Sequence, residues 1–166
     1  MKKDVLMYFD LITSLKTVNE VNDLSLELDT LGSALFKSEK MNLDDALSSI
    51  RENSAKTIME IFSKNKLDLA DKEVIQDFLR TLKNLMQKFK VIKLVLAFDP
   101  PLKTIDKIHN YIFENIGIGY ILDIEVDETI LGGSVVIFNG KYKDYTLRKS
   151  LDELFANKTL KYLTVT

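Results

Sequence analysis

The side chains able to do chemistry are few and scattered. His109 is the only histidine. With Asp106 three residues before it and Phe113 four after it, it could serve as a general base or a metal ligand. No second histidine and no cysteine exists to complete a typical transition-metal site, so it reads as a surface or helix-lining histidine. Asp123, Glu125, Asp127 and Glu128 form an acidic run of the kind that binds Mg²⁺ or works as a carboxylate pair. On a strand, Asp123 and Glu125 project to the same side, which reads as a solvated face. Asp127 and Glu128 read as a turn, and no EF-hand spacing is present. Leu131-Gly132-Gly133-Ser134 invites a phosphate-loop reading. It lacks the following Lys-Ser or Lys-Thr pair that opens a helix, and a strand follows instead. Asp144 and Thr146 imitate a catalytic pair, yet a turn and a helix N-terminus account for both. Tyr142 and Tyr145 could stack on bases, but no basic patch surrounds them, and packing or protein contact is the better reading. The residues therefore yield no catalytic group, no cofactor site and no metal ligand set.

The elements that hold these residues are more informative than the residues themselves. Gly132 and Gly133 allow backbone angles or close approaches that a side chain would block. Val135, Val136, Ile137 and Phe138 make a strand apolar on both sides, which predicts burial on both faces. Asn139-Gly140 suits a type I′ hairpin turn, where both central residues take positive φ. Thr146 can cap the helix that follows, whose Leu147, Leu151 and Leu154 fall on one face.

Upstream, Val91–Phe98 reads as a strand ended by Pro100-Pro101. Residues 104–115 read as a helix with Ile105, Ile108 and Ile112 inward and Gly117 as its stop. Tyr120–Val126 alternates, with Leu122, Ile124 and Val126 on one side and the acidic residues on the other. A right-handed crossover makes the first two strands parallel, with both helices expected over one face of the sheet. Residues 156–166 are either a docked tail or a loose end.

Residues 1–90 have no proline and a single glycine, Gly32. Their apolar positions recur at helical spacing. Val21, Leu24, Leu28, Leu31 and Leu35 form one stripe; Leu43, Leu47, Ile50, Ile58 and Ile61 a second; Ile75, Phe78, Leu82, Leu85 and Phe89 a third. Asn42 and Asp71 are candidate caps for the latter two. A short helix over residues 5–16 would use Phe9, Ile12 and Leu15, or Val5, Leu11 and Leu15. The helices either fold on one another, or the Val21–Leu35 stripe docks a partner's helix. The expected class is α+β: a three- to four-helix bundle over 1–90, then a small β-α-β-β-β-α domain over 91–166.

With 23 basic and 25 acidic residues interspersed, no large field points to nucleic acid or an anionic membrane. The absence of cysteine excludes disulfides and fits a reducing compartment. Lys2-Lys3 and the apolar residues after them look superficially like a signal peptide. Asp10 interrupts that run and no small-residue cleavage site follows, so an amphipathic first helix is expected. No apolar stretch approaches the roughly 20 residues that span a bilayer.

The run from Ile130 to Leu154 resembles the C-terminal signature of the delta subunit of F-type ATP synthases, the oligomycin-sensitivity-conferring protein family. That pattern is an acidic residue, a glycine pair, an apolar strand, a turn, an aspartate, a small hydroxyl residue and a helix with spaced leucines. Asp127, Gly132, Gly133, Asp144, Thr146, Leu151 and Leu154 stand at those places, with threonine where the family more often has serine. Val91–Phe98 followed by Asp-Pro-Pro-Leu-Lys-Thr resembles the preceding strand and helix start. The resemblance implies a non-catalytic stator without cofactor. Its helical domain would grip alpha subunits on the catalytic head, and its C-terminal domain the membrane-anchored b-type stalk subunits. It further implies a peripheral place on the cytoplasmic side of the membrane and a part in proton-driven ATP synthesis. Residues 1–90 are fewer than the family's bundle, and its opening helix motif is not recognisable in them. The E-type peripheral-stalk subunit of vacuolar and archaeal ATPases shares a related glycine-pair pattern but opens with a long charged helix. The remaining alternative is an unrelated small α/β enzyme or binding domain, for which no set of convergent polar residues is visible.

Overall fold

A computed structural model describes residues 6–37 and 42–163. The chain mixes helices with a four-stranded mixed sheet, consistent with α+β. It divides into two compact units, Met1–Lys90 and Val91–Thr166.

In the first unit the described helices are α1 (Phe9–Ser14), α2 (Val18–Lys37), α3 (Leu43–Leu47), α4 (Glu52–Asn65) and α5 (Lys72–Met86). The periodicity predicts three or four; these five stand among the described residues, because the stripe from Leu43 to Ile61 is broken. Ser48 and Ser49 turn their hydroxyls back onto the carbonyls of Asp45 and Ala46 at 2.7 and 2.6 Å. Those bonds compete with continuation of the helix, and the chain is extended at Arg51 before α4 starts. Asn42 caps α3 through the Asp45 amide at 2.9 Å. Asp71 caps α5 through the amides of Glu73 and Val74. A capping box not read from the sequence starts α2: Thr17 Oγ1 accepts the Glu20 amide, and Glu20 Oε2 accepts the amides of Lys16 and Thr17.

These helices share one hydrophobic core. Leu24, Leu28, Leu31 and Leu35 of α2 are buried in it, so that stripe is not an open seam. Phe78 of α5 packs its ring against Tyr8 and Phe62, with centroids 5.1 and 4.9 Å away. Leu11, Ile12 and Leu15 are buried while Phe9 sits at the exposed margin, so α1 combines parts of both expected patterns. Val5 lies outside the described residues.

The second unit contains β1 (Lys90–Leu96), α6 (Leu102–Asn115), β2 (Tyr120–Val126), β3 (Ser134–Phe138), β4 (Lys141–Asp144) and α7 (Leu147–Leu163). Strand order is β2-β1-β3-β4. The β1–β3 and β3–β4 pairs are antiparallel, which leaves β1–β2 as the parallel pair of the mixed sheet. Directly opposed residues share a face, so the register Leu94↔Val136↔Lys143 belongs to one side and Lys93↔Ile137↔Tyr142 to the other. α6 covers the first side: Ile105, Ile108 and Ile112 pack with Ile92, Leu94, Leu122, Val136 and Phe138. Gly117, at φ +120°, ends α6, its amide bonded to the Ile112 carbonyl at 3.1 Å.

Three expectations are corrected here. β3 is not buried on both faces: Val135 is buried, but Val136, Ile137 and Phe138 are only half-buried, and Ile137 lies between Lys93 and Tyr142. Val126 is exposed at the end of β2 rather than inward with Leu122. The side chains of α7 that are described are not inward: every residue from Leu147 to Ala156 is exposed, where the leucine spacing predicts a covered side. α7 also runs on into the segment for which a docked tail and a loose end were both open. The side chains beyond Ala156 and residues 164–166 lie outside the described set.

Candidate functional site

The glycine pair sits where the chain between β4 and α7 passes closest to the start of β3. Gly132 and Gly133 have φ of +154° and +87°. The Gly132 carbonyl accepts the Leu147 amide at 2.9 Å, and the Ser134 carbonyl accepts the Tyr145 amide at 2.8 Å. A Cβ on Gly133 would lie 2.3 Å from the Tyr145 carbonyl oxygen and 3.0 Å from Thr146 Cα; one on Gly132 would lie 2.7 Å from Leu147 Cδ1. Gly133 demands absence of a side chain through both conformation and space, whereas at Gly132 the constraint is its φ, since the Leu147 side chain can move aside.

Asp144 completes the junction. Its Oδ1 accepts the Thr146 amide at 2.8 Å. Hydrogen bonds from the Thr146 amide and hydroxyl, aided by Lys149, hold the carboxyl below its ordinary value of 3.8. Thr146 is buried, and its hydroxyl engages Asp144. The other end of the hairpin turns at Asn139 (φ +49°) and Gly140 (φ +72°), a two-residue connection between the paired Phe138 and Lys141. Asp127 makes a separate tight turn: its Oδ1 accepts the Thr129 amide at 2.9 Å and hydroxyl at 2.6 Å. Those bonds lower its pKa too, and its own amide bonds to Leu96 at the end of β1.

Leu151 and Leu154 are not gathered into this junction. They stand on α7 with Leu147, and their exposures are 42%, 58% and 53%. Phe155, four residues after Leu151, adds a fourth exposed apolar side chain at 63%. It was missed from sequence although its helical spacing from Leu151 is a readable signal.

The groups first considered for chemistry are dispersed. His109 is buried on α6, 7% exposed, which excludes the surface reading and fits the helix-lining one. It follows Ile108 and Ile105 toward the layer that α6 makes with the sheet. Glu125 forms an ion pair with Lys93 of the neighbouring β1 at 2.5 Å. The hydrogen bond to Glu125 is the main reason the Lys93 pKa is raised, followed by the charges of Glu125 and Asp123. This acidic strand side is thus tied to a lysine. Tyr142 and Tyr145 are exposed. Among the described residues, no group of three or more His, Cys, Asp or Glu could hold a metal ion. Among them, too, no helix is long and apolar enough to cross a membrane.

No protein-family model matches the chain, and no curated protein matches it significantly.

Proposed function

We propose that this chain is a non-catalytic peripheral-stalk subunit of an F-type ATP synthase, of the delta-subunit kind. In this reading residues 1–90 form a bundle that caps the catalytic head through alpha subunits. Residues 91–166 dock the b-type stalk subunits, and the protein resists rotation of the head while the rotor turns. It works at the cytoplasmic side of the membrane, held there by its partners, and needs no cofactor.

The observation that carries the reading is the exposed α7 surface behind the glycine-pair junction. Leu147, Leu151, Leu154 and Phe155 are presented over ten consecutive exposed residues. Full burial of one such side chain stabilises a complex by about 1.5–3 kcal/mol, and an apolar helix side of this kind is suited to a helical partner. Leu151 and Leu154 also belong to the sequence resemblance, so motif and exposed surface meet on one element. The helical unit supports the adaptor reading differently. Its stripes are spent on its own core, so it offers a folded body rather than an open seam.

Affinity capture of the tagged full chain from its native cells tests the proposal. Recovery of b-type and alpha subunits is expected. A Leu151→Asp/Leu154→Asp chain should lose the b-type subunits and retain the alpha subunits. Capture of neither by the unaltered chain overturns the assignment.

A further inference from the structure

The sheet of the second unit has two edges, and they are built differently. β4 is one edge, only four residues long, with Lys141 and Lys143 exposed on it. Shortness and lysine are devices that keep an edge from pairing with a stray chain. β2 is the other edge, seven residues long, and it holds neither lysine nor proline. Among the described residues, no backbone hydrogen bond from outside the sheet reaches Leu122–Val126. One bond fixes the direction of its peptide groups. The Asp127 amide donates to the Leu96 carbonyl at 2.9 Å, so Asp127 points toward β1. Peptide groups alternate sides along a strand, so Asp123 and Glu125 also point toward β1, while Leu122, Ile124 and Val126 present amide and carbonyl to the free side. The side chains are sorted in the same rhythm. Leu122 and Ile124 pack in the layer with α6. Asp123 and Glu125 project to the opposite side, where Lys93 of β1 pairs with Glu125. Among the described strand residues of that side Lys93 is the one cation, so two carboxylates leave this edge negative.

We propose that the free edge of β2 receives an extended segment of another protein, added as a fifth strand, in which apolar and basic side chains alternate. Backbone bonds to Leu122, Ile124 and Val126 supply the affinity. The apolar side chains of the segment continue the layer beside Ile124 and Val126. Its lysines or arginines stand opposite Asp123 and Glu125 and select the partner by charge. The same acidic row argues against a second copy of this chain as the occupant. Antiparallel pairing of two β2 strands centred on Ile124 would set Asp123 against Glu125, like charge against like. The β2 edge is separate from the exposed leucines of α7, and the proposal does not depend on the stalk assignment.

The test is an NMR titration of the isotope-labelled full chain with a synthetic peptide of alternating lysine and valine, about eight residues long to match the strand. The amides of Leu122, Ile124 and Val126 should shift saturably and exchange more slowly with solvent. Added salt should weaken the effect, and the same peptide with glutamate for lysine should not bind. Val126→Pro removes one outward donor at an exposed edge position, where proline is tolerated. Asp123→Lys reverses the charge and leaves the backbone donors in place. Each should weaken binding about fivefold, with a melting temperature measured alongside to show that the variant is folded. Lys143→Glu on β4 should leave binding unchanged. Absence of a saturable shift on β2 overturns the proposal, as does equal binding of the glutamate peptide or unchanged binding in both β2 variants. Dimerisation of the chain that Val126→Pro abolishes would overturn it in favour of a second copy.

Discussion

Gly133 meets the carbonyl oxygen of Tyr145 so closely that a Cβ on the glycine would stand 2.3 Å from it. The contact is backbone against backbone, between the start of one strand and the end of another. No rotamer change can relieve it, and the glycine's φ of +87° adds conformational strain for any β-branched residue. Gly133→Val is therefore expected to destabilise the sheet unit by more than about 3 kcal/mol, combining overpacking with a forbidden backbone angle. Thermal unfolding of the full chain, followed by resolved NMR signals from each unit, should show early loss of the sheet unit. An unchanged melt together with unchanged assembly would contradict this account.

Gly32 is the opposite case. It lies inside α2 at an ordinary helical angle, and a Cβ there would meet only Leu79 Cδ1 at 3.8 Å, a normal contact. Glycine inside a helix costs about 0.5–1 kcal/mol relative to alanine. Gly32→Ala should therefore stabilise the helical unit by about that amount, read as a higher urea midpoint. A fall in the midpoint would mean that the site is tighter than its geometry.

Acid should weaken the sheet unit first at its two aspartate turns. Asp127 and Asp144 are both held below the ordinary value of 3.8 by hydrogen bonds, from Thr129 and Thr146 respectively. Their folded forms release protons more readily than the unfolded chain. The stability they supply is present above about pH 4 and is lost as pH falls through the lowered values. The melting temperature of the unit should drop on acidification below about pH 4, and the drop should shrink in Asp144→Asn. An equal acid dependence in that variant would remove Asp144 from the explanation.

Arg51 and Glu27 tie the start of α4 to α2. Arg51 Nε donates to Glu27 Oε1, and Nη1 reaches Asp23 at 3.4 Å. Glu27 is the more enclosed partner, and among the described residues its Oε2 is buried with no hydrogen bond. Loss of the arginine leaves a largely buried carboxylate without compensation. Arg51→Ala should therefore lower the midpoint of the helical unit more than Asp23→Ala, which removes only a solvent-screened partner. Equal effects would show that the enclosed pair contributes nothing special.

Local chemistry explains how much of this was legible beforehand. Asn139-Gly140 was readable as a turn because few residues tolerate two successive positive φ angles. Asn42 and Asp71 were readable as caps because short polar side chains satisfy free helical amides. The Leu24–Leu35 stripe was readable because 3.6-residue spacing leaves one side apolar. The break between Leu47 and Glu52 was not, since Ser48 and Ser49 are compatible with a helix until their hydroxyls choose nearby carbonyls. The T-x-x-E box at Thr17–Glu20 was available and overlooked.

Along the chain, then, residue types and periods determined where helices, strands and turns would form and which side of each is apolar. Only the tertiary structure decided which of those sides are covered. The α2 leucines and the α7 leucines have similar spacing, yet the first are buried and the second exposed. Burial depends on surface offered by elements distant in sequence: α6 covers one side of the sheet, while Leu147 to Ala156 of α7 stay exposed. The same reason placed His109 inside. It also turned the glycine pair from a possible ligand loop into a seat for the Tyr145–Leu147 backbone, a contact no local pattern encodes.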